Sequence, residues 1–168
     1  MIMRPCSRLI ATWLCLSLSL PALASDVVFP AGGAVGLSPP GAMTAHIGLT
    51  MFEDNDEDAV ISIFEEAWGD APGKPFSDFG NLGEVPPGIR VEGPVQHLQL
   101  AGGIEAYLVA YSDIKDGVAR RHWTMVARNA DLFASIFARA PAGSTLYSDA
   151  KIQAALRSIQ FRKPRPKE

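Results

Sequence analysis

Hydrophobic and polar residues alternate most regularly between Gly102 and Arg128, GGIEAYLVAYSDIKDGVARRHWTMVAR, and the rest of the chain is read around this stretch. Asp116-Gly117 is a two-residue hairpin signal, because a type I′ turn needs positive φ at both central positions and this pair tolerates it. The register follows from the turn. Lys115 faces Val118, and counting outward sets Ser112 against Arg121, Ala110 against Trp123, Leu108 against Met125 and Ala106 against Ala127, the face expected to enter the core. The opposite face pairs Asp113 with Arg120, Tyr111 with His122, Val109 with Thr124, Tyr107 with Val126 and Glu105 with Arg128. Two of these are opposite-charge cross-strand pairs, each contributing about 0.2–1 kcal/mol. A one-residue slip would exchange the two faces, so the register is specified.

The remaining elements follow the same logic. His46 to Phe52 alternates, and a half-buried strand would place Ile47, Leu49 and Met51 on one side. Val60 to Phe64 has strand composition, with Ile61 and Ile63 on the apolar side. The segment from Glu66 to Pro87 reads as a loop with a short helix near Pro75 to Leu82, and Gly88 to Glu92 and Val95 to Leu100 as short extended pieces leading into the hairpin. Between Ala130 and Ala140 two periodicities compete. Asn129-Ala130-Asp131 can turn the chain back against Met125, and a strand ending at Pro141 is expected. A helix follows: Ser148 stands at the capping position with Asp149 in the first turn, Tyr147 and Ile152 are spaced as a hydrophobic staple, and Ile152, Ala155, Leu156 and Ile159 share one face. Ile159 to Phe161 adds a last extended turn.

Composition changes this picture at the N-terminus. Arg4 and Arg8 precede the apolar run Leu9 to Leu20, and Pro21 to Ser25 supplies small residues for cleavage, the pattern of a secretory signal peptide ending at Ala24. Residues 1–24 are therefore expected to be a leader, 25–161 one α+β domain and 162–168 a basic disordered tail. The expected location is periplasmic or secreted, with no transmembrane segment in the mature chain, since no later run approaches about 20 apolar residues. Both cysteines, Cys6 and Cys15, lie in the leader, so an exported chain would rely on its hydrophobic core rather than on disulfides.

Charge is uneven along the chain. Residues 26–92 hold 12 acidic and 2 basic residues, and residues 93–168 hold 6 acidic and 11 basic. In one folded domain the two halves can interleave into a mixed surface, the alternative being opposed patches for a charged partner. The net negative charge and the lack of a basic aromatic stripe argue against nucleic-acid binding.

Candidate chemistry is sparse. The acidic run Glu53 to Asp58 places Asp54, Asp56, Asp58 and Glu65 at positions 1, 3, 5 and 12 of a calcium loop, but Ala59 stands where that loop turns on glycine and the flanks have strand patterning. Asp54, Asp56 and Asp58 are the candidate metal residues, calcium the candidate ion, and a solvated turn between strands the competing interpretation. His46, His97 and His122 share no ligand spacing. Neither a mature cysteine nor a GxSxG motif is present, so no nucleophile is readable and no catalytic residue is assigned. Trp68, Phe76, Arg120 and His122 are the candidate interaction surface. The leading expectation is an exported, non-catalytic domain that binds another envelope protein or ligand. A calcium-binding protein acting through loop 53–58 and a hydrolase whose site has no sequence signature are the alternatives.

Certain motifs carry a family resemblance. Gly36-Leu37-Ser38-Pro39-Pro40-Gly41 precedes the strand end Phe52-Glu53-Asp54; Gly103 to Tyr111 is followed by His122-Trp123-Thr124-Met125; and Ser148-Asp149 opens a helix running into Ser158-Ile159-Gln160-Phe161. In this order the chain resembles the PsbP-like family, named for the extrinsic oxygen-evolving protein of photosystems and including exported bacterial proteins. The resemblance implies an antiparallel β-sheet with helices packed on its faces, an α/β/α sandwich, and a non-enzymatic binding role.

Overall fold

The computed structural model describes residues 26–67, 75–81 and 83–163. The predicted leader, Trp68 and most of the basic tail lie outside the described residues. Among the described residues ten strands and one α-helix run in the order β1 (Val35–Gly36), β2 (Thr44–Ala45), β3 (Met51–Asp54), β4 (Ala59–Ala67), β5 (Arg90–Val91), β6 (Gln96–Leu100), β7 (Ile104–Lys115), β8 (Val118–Arg128), β9 (Leu132–Pro141), α1 (Asp149–Arg157) and β10 (Gln160–Phe161). Eight strands form one antiparallel sheet in the order β2-β3-β4-β9-β8-β7-β5, with β6 also on β7. β1 and β10 pair separately and bring the two ends of the fold together.

The β7–β8 hairpin has the expected register from Lys115↔Val118 to Glu105↔Arg128. Asp116 and Gly117 adopt φ of 54° and 78°, as a type I′ turn demands. Ala106, Leu108, Trp123, Met125 and Ala127 are buried on one face. Of the two expected charge pairs one forms: Glu105 accepts from Arg128 at 2.7 Å. Asp113 and Arg120 are opposite in register, yet Asp113 turns to His122 at 3.1 Å and Arg120 reaches Asp58 at 3.0 Å.

The strand expected after residue 130 is β9. Asn129 Oδ1 accepts from the backbone N–H of Asp131 and Leu132, at 2.9 and 2.8 Å, and this side-chain turn sets β9 antiparallel on β8. One expected strand is corrected. His46 to Phe52 is not a single strand but the tip of a hairpin, in which Thr44 pairs with Glu53 and Ala45 with Phe52. Gly48 takes φ of 85° to reverse the chain, leaving Ile47 95% and Leu49 52% exposed while Phe52 is buried.

α1 covers the core face of the sheet with Ile152, Ala155 and Leu156, and Tyr147, Leu37 and Val35 complete the layer. Ser148 precedes the helix, but its hydroxyl makes no capping bond. Instead Asp149 Oδ1 accepts from the buried indole N–H of Trp123 at 2.8 Å and Oδ2 from Gln153 at 2.9 Å.

The fold is α+β, but the expected helices on both faces are not observed among the described residues. Among the described residues the opposite face carries a 3-10 turn, Phe76–Gly80, and the loop leading into β5. The Pro and Gly content of residues 71–88 disfavours a longer helix there.

Candidate functional site: the open face of the sheet

Strand alternation sends one set of side chains away from α1. In register order they form rows across the sheet. One row runs Val60, Arg139, His122, Tyr111, Val91; the next runs Ser62, Phe137, Thr124, Val109; a third runs Phe64, Ser135, Val126, Tyr107, His97.

Part of this face is covered. Phe76 is 4% exposed and packs against Tyr107 and Phe133 with ring centroids 5.2 and 6.4 Å apart, and the Arg128 guanidinium lies 4.6 Å from its ring centre. Gly80 permits this approach, since a Cβ there would meet the Tyr107 ring at 3.0 Å. Farther along, Val85, Pro86, Ile89 and Val91 border Val109, Tyr111 and Thr124 around an open apolar pocket of about 220 Å³ with Glu84 among its lining residues.

The β9–β4 half of the face is open. Phe64 and Phe137 stand there edge to face with centroids 5.8 Å apart, and remain 59% and 44% exposed. Beside them is a charged border. Asp58 accepts from Arg139 at 2.9 Å and from Arg120 at 3.0 Å. The Nε–H groups of both arginines are buried without a partner. His122 stacks on Tyr111 at 4.9 Å and 4° while its Nε2 bonds Asp113. On the far border Arg128 and, secondarily, His97 hold the Glu105 carboxyl below the ordinary carboxylate range against the opposing effect of burial.

Of the predicted interaction residues, Arg120 and His122 lie on this face and Phe76 covers its other end. The aromatic pair was missed. Its signal was present, since Phe64 and Phe137 fall in the polar phase of β4 and β9, out of step with Ile61, Ile63 and Ile136.

The acidic residues do not converge. Asp54 Oδ2 accepts from the Tyr147 hydroxyl at 2.5 Å, Asp58 sits between its two arginines, and Asp56 is exposed in the turn between β3 and β4. Glu65, the twelfth residue of the calcium pattern, points across the sheet and accepts from the backbone N–H of Ala34 and Val35 at 2.9 and 3.0 Å. No cluster of three or more acidic, histidine or cysteine ligands forms among the described residues. Calcium at millimolar concentration is therefore expected to leave the melting midpoint unchanged. A ligand at a hundred times its dissociation constant would add about 2.7 kcal/mol, so a clear upward shift in calcium against chelator would restore the acidic turn as a site.

No family model and no curated protein matches the chain. Solved structures similar in fold include the following two. One is a protein of Bacteroides thetaiotaomicron VPI-5482, with a TM-score of 0.50 and 11% identity, aligned over 84% of this chain and 50% of that one. This chain thus spans about half the length of that protein. The other is LpqN of Mycobacterium tuberculosis, described as involved in cell envelope biogenesis, with a TM-score of 0.50 and 18% identity over 82% of this chain and 83% of that one. At these identities what is shared is the fold.

Proposed function

We propose that this protein is an exported, non-catalytic binding domain of the cell envelope, PsbP-like in architecture, that holds a protein partner against the open face of its sheet. The observation carrying this reading is the Phe64–Phe137 pair. Two aromatic rings in contact with each other, yet about half exposed, stand on a sheet whose other face is covered by α1. Aromatic anchors bordered by arginines are the composition of protein interfaces rather than of ordinary surface. The leader pattern of residues 1–24 and the envelope role given for LpqN support the location. Among the described residues no helix is long and apolar enough to cross a membrane.

The test is site-specific crosslinking in native cells. A photoreactive residue at Ser135, which lies opposite Phe64 in register, is expected to give a discrete envelope adduct that a Phe64→Ser/Phe137→Ser background removes. The same probe at exposed Lys151 on α1 is expected to give none. An adduct that persists in the double variant, or that is equally strong from Lys151, would sink the reading.

A further inference from the structure

We propose a second site, on the helix side of the sheet, where Arg121 binds the carboxylate of a small monoanionic molecule. Alternation places Arg121 in phase with Trp123 but beyond the reach of α1, toward the hairpin turn. Other arginines of the fold each have an acceptor: Arg120 and Arg139 have Asp58, Arg128 has Glu105, Arg157 has Gln96, and Arg162 has the Gly33 carbonyl. Arg121 is half-buried and makes no hydrogen bond or ion pair among the described residues. A guanidinium has five N–H donors and no way to shed its charge, so one that is partly withdrawn from water without an acceptor stands ready for an anion.

The surroundings define which anion. Arg121 lines a cleft of about 680 Å³, within the range of about 300–1,000 Å³ usual for small-molecule sites. The register Arg90↔Ser112↔Arg121 across β5, β7 and β8 builds its floor. Glu92 receives the Ser112 hydroxyl at 2.6 Å and lies 3.9 Å from the Arg90 guanidinium, which offsets the charge of Arg90. Asp113 borders the cleft, but its carboxylate is held by His122. Arg121 is the lining cation left without an acceptor among the described residues. A planar carboxylate matches its fork with two parallel hydrogen bonds, whereas a phosphate dianion, carrying twice the charge, would meet stronger repulsion from Glu92 and Asp113. Ile114, 74% exposed, and Ala142 offer an apolar wall for the rest of the ligand. The ligand class is a small monocarboxylate with an aliphatic body.

The experiment is an NMR titration of the purified protein with 4-methylvalerate, its uncharged amide and inorganic phosphate, following the Arg121 Nε–H and the amides of Ser112 and Ile114. Saturable shifts with 4-methylvalerate in the millimolar range are expected, with the amide and phosphate at least about tenfold weaker. Arg121→Gln should lose the response with the rest of the spectrum unchanged, and Arg121→Lys should retain a weaker one. Absence of saturation, equal binding of the amide or of phosphate, or an undiminished response in Arg121→Gln would overturn the assignment.

Discussion

Replacing Trp123 by alanine is expected to lower the unfolding free energy by about 3–5 kcal/mol, the upper range for loss of a core side chain. Trp123 is fully buried at the centre of the β8 core face, paired with Ala110 on β7 and Ala138 on β9. Small residues on both flanking strands leave the space that the indole fills, and they cannot expand to close the cavity its loss would create. The indole N–H is the second part of the effect. It donates to Asp149 in the first turn of α1 and so joins the helix to the sheet through one polar bond inside an apolar layer. Asp149→Ala should cost about 1–3 kcal/mol, because it strands that buried donor. Trp123→Phe keeps most of the volume and removes the donor. Denaturant unfolding of Asp149→Ala, Trp123→Phe and the double variant gives the coupling. A value under about 0.5 kcal/mol would mean that Asp149 serves only the helix terminus and not the indole.

The same pair shows what can be read from a sequence. The Asp116-Gly117 turn fixes every partner along β7 and β8, so the placement of Trp123 in the core followed from counting alone. β9 was legible because Asn129 carries its own turn in its side chain. What local pattern leaves undecided has one cause, which is that the deciding partner is distant in sequence. Ile47, Leu49 and Met51 alternate equally well in a strand or across a hairpin tip, and only the pairing of Thr44 with Glu53 chooses between them. Ser148 stands at the helix N-cap with Asp149 in the first turn, as expected, but the Asp149 carboxylate is claimed by Trp123. The calcium spacing around Asp54 could not reveal that Arg120 and Arg139, 62 and 81 residues beyond Asp58, occupy it. For the open face the phase of Phe64 and Phe137 was legible. What covers that phase was not, because a face is closed or left open by loops whose packing no local pattern encodes. Arg121 is the counterpart on the helix side: its phase was fixed by the hairpin, while its lack of a partner among the described residues emerges only when the whole fold is assembled.

The second large effect is a loss of stability in alkali that one hydroxyl accounts for. Tyr147 is 1% exposed, and burial, the bond it donates to Asp54 and the negative charges of Asp54 and Glu57 raise its pKa from 10.0 to about 12, against a smaller opposing effect of the Ala42 backbone. The folded state thus keeps the phenolic proton after the unfolded chain has released it. Between pH 10 and about 12 the folded form binds more protons, so stability falls as pH rises through that window and is undisturbed by this group below it. The difference corresponds to about 3 kcal/mol, fully present below pH 10 and fully lost above about 12. Tyr147→Phe should remove this alkaline slope while costing about 1.5–3 kcal/mol near neutrality, where the charged acceptor Asp54 loses its donor. Denaturant unfolding at stepped pH for both proteins separates the effect from that of Tyr107 and Tyr111, which the variant retains. If the two curves stayed parallel through the alkaline range, the hydroxyl would not be the proton holder. Asp54→Asn refines the assignment, because it keeps an acceptor but removes the charge, and it should bring the upper end of the alkaline loss down from about 12 toward pH 10 without abolishing the loss, burial being the larger cause. In this way an acidic residue that resembles a metal ligand in sequence acts as the lock between the β3 end and the segment entering α1.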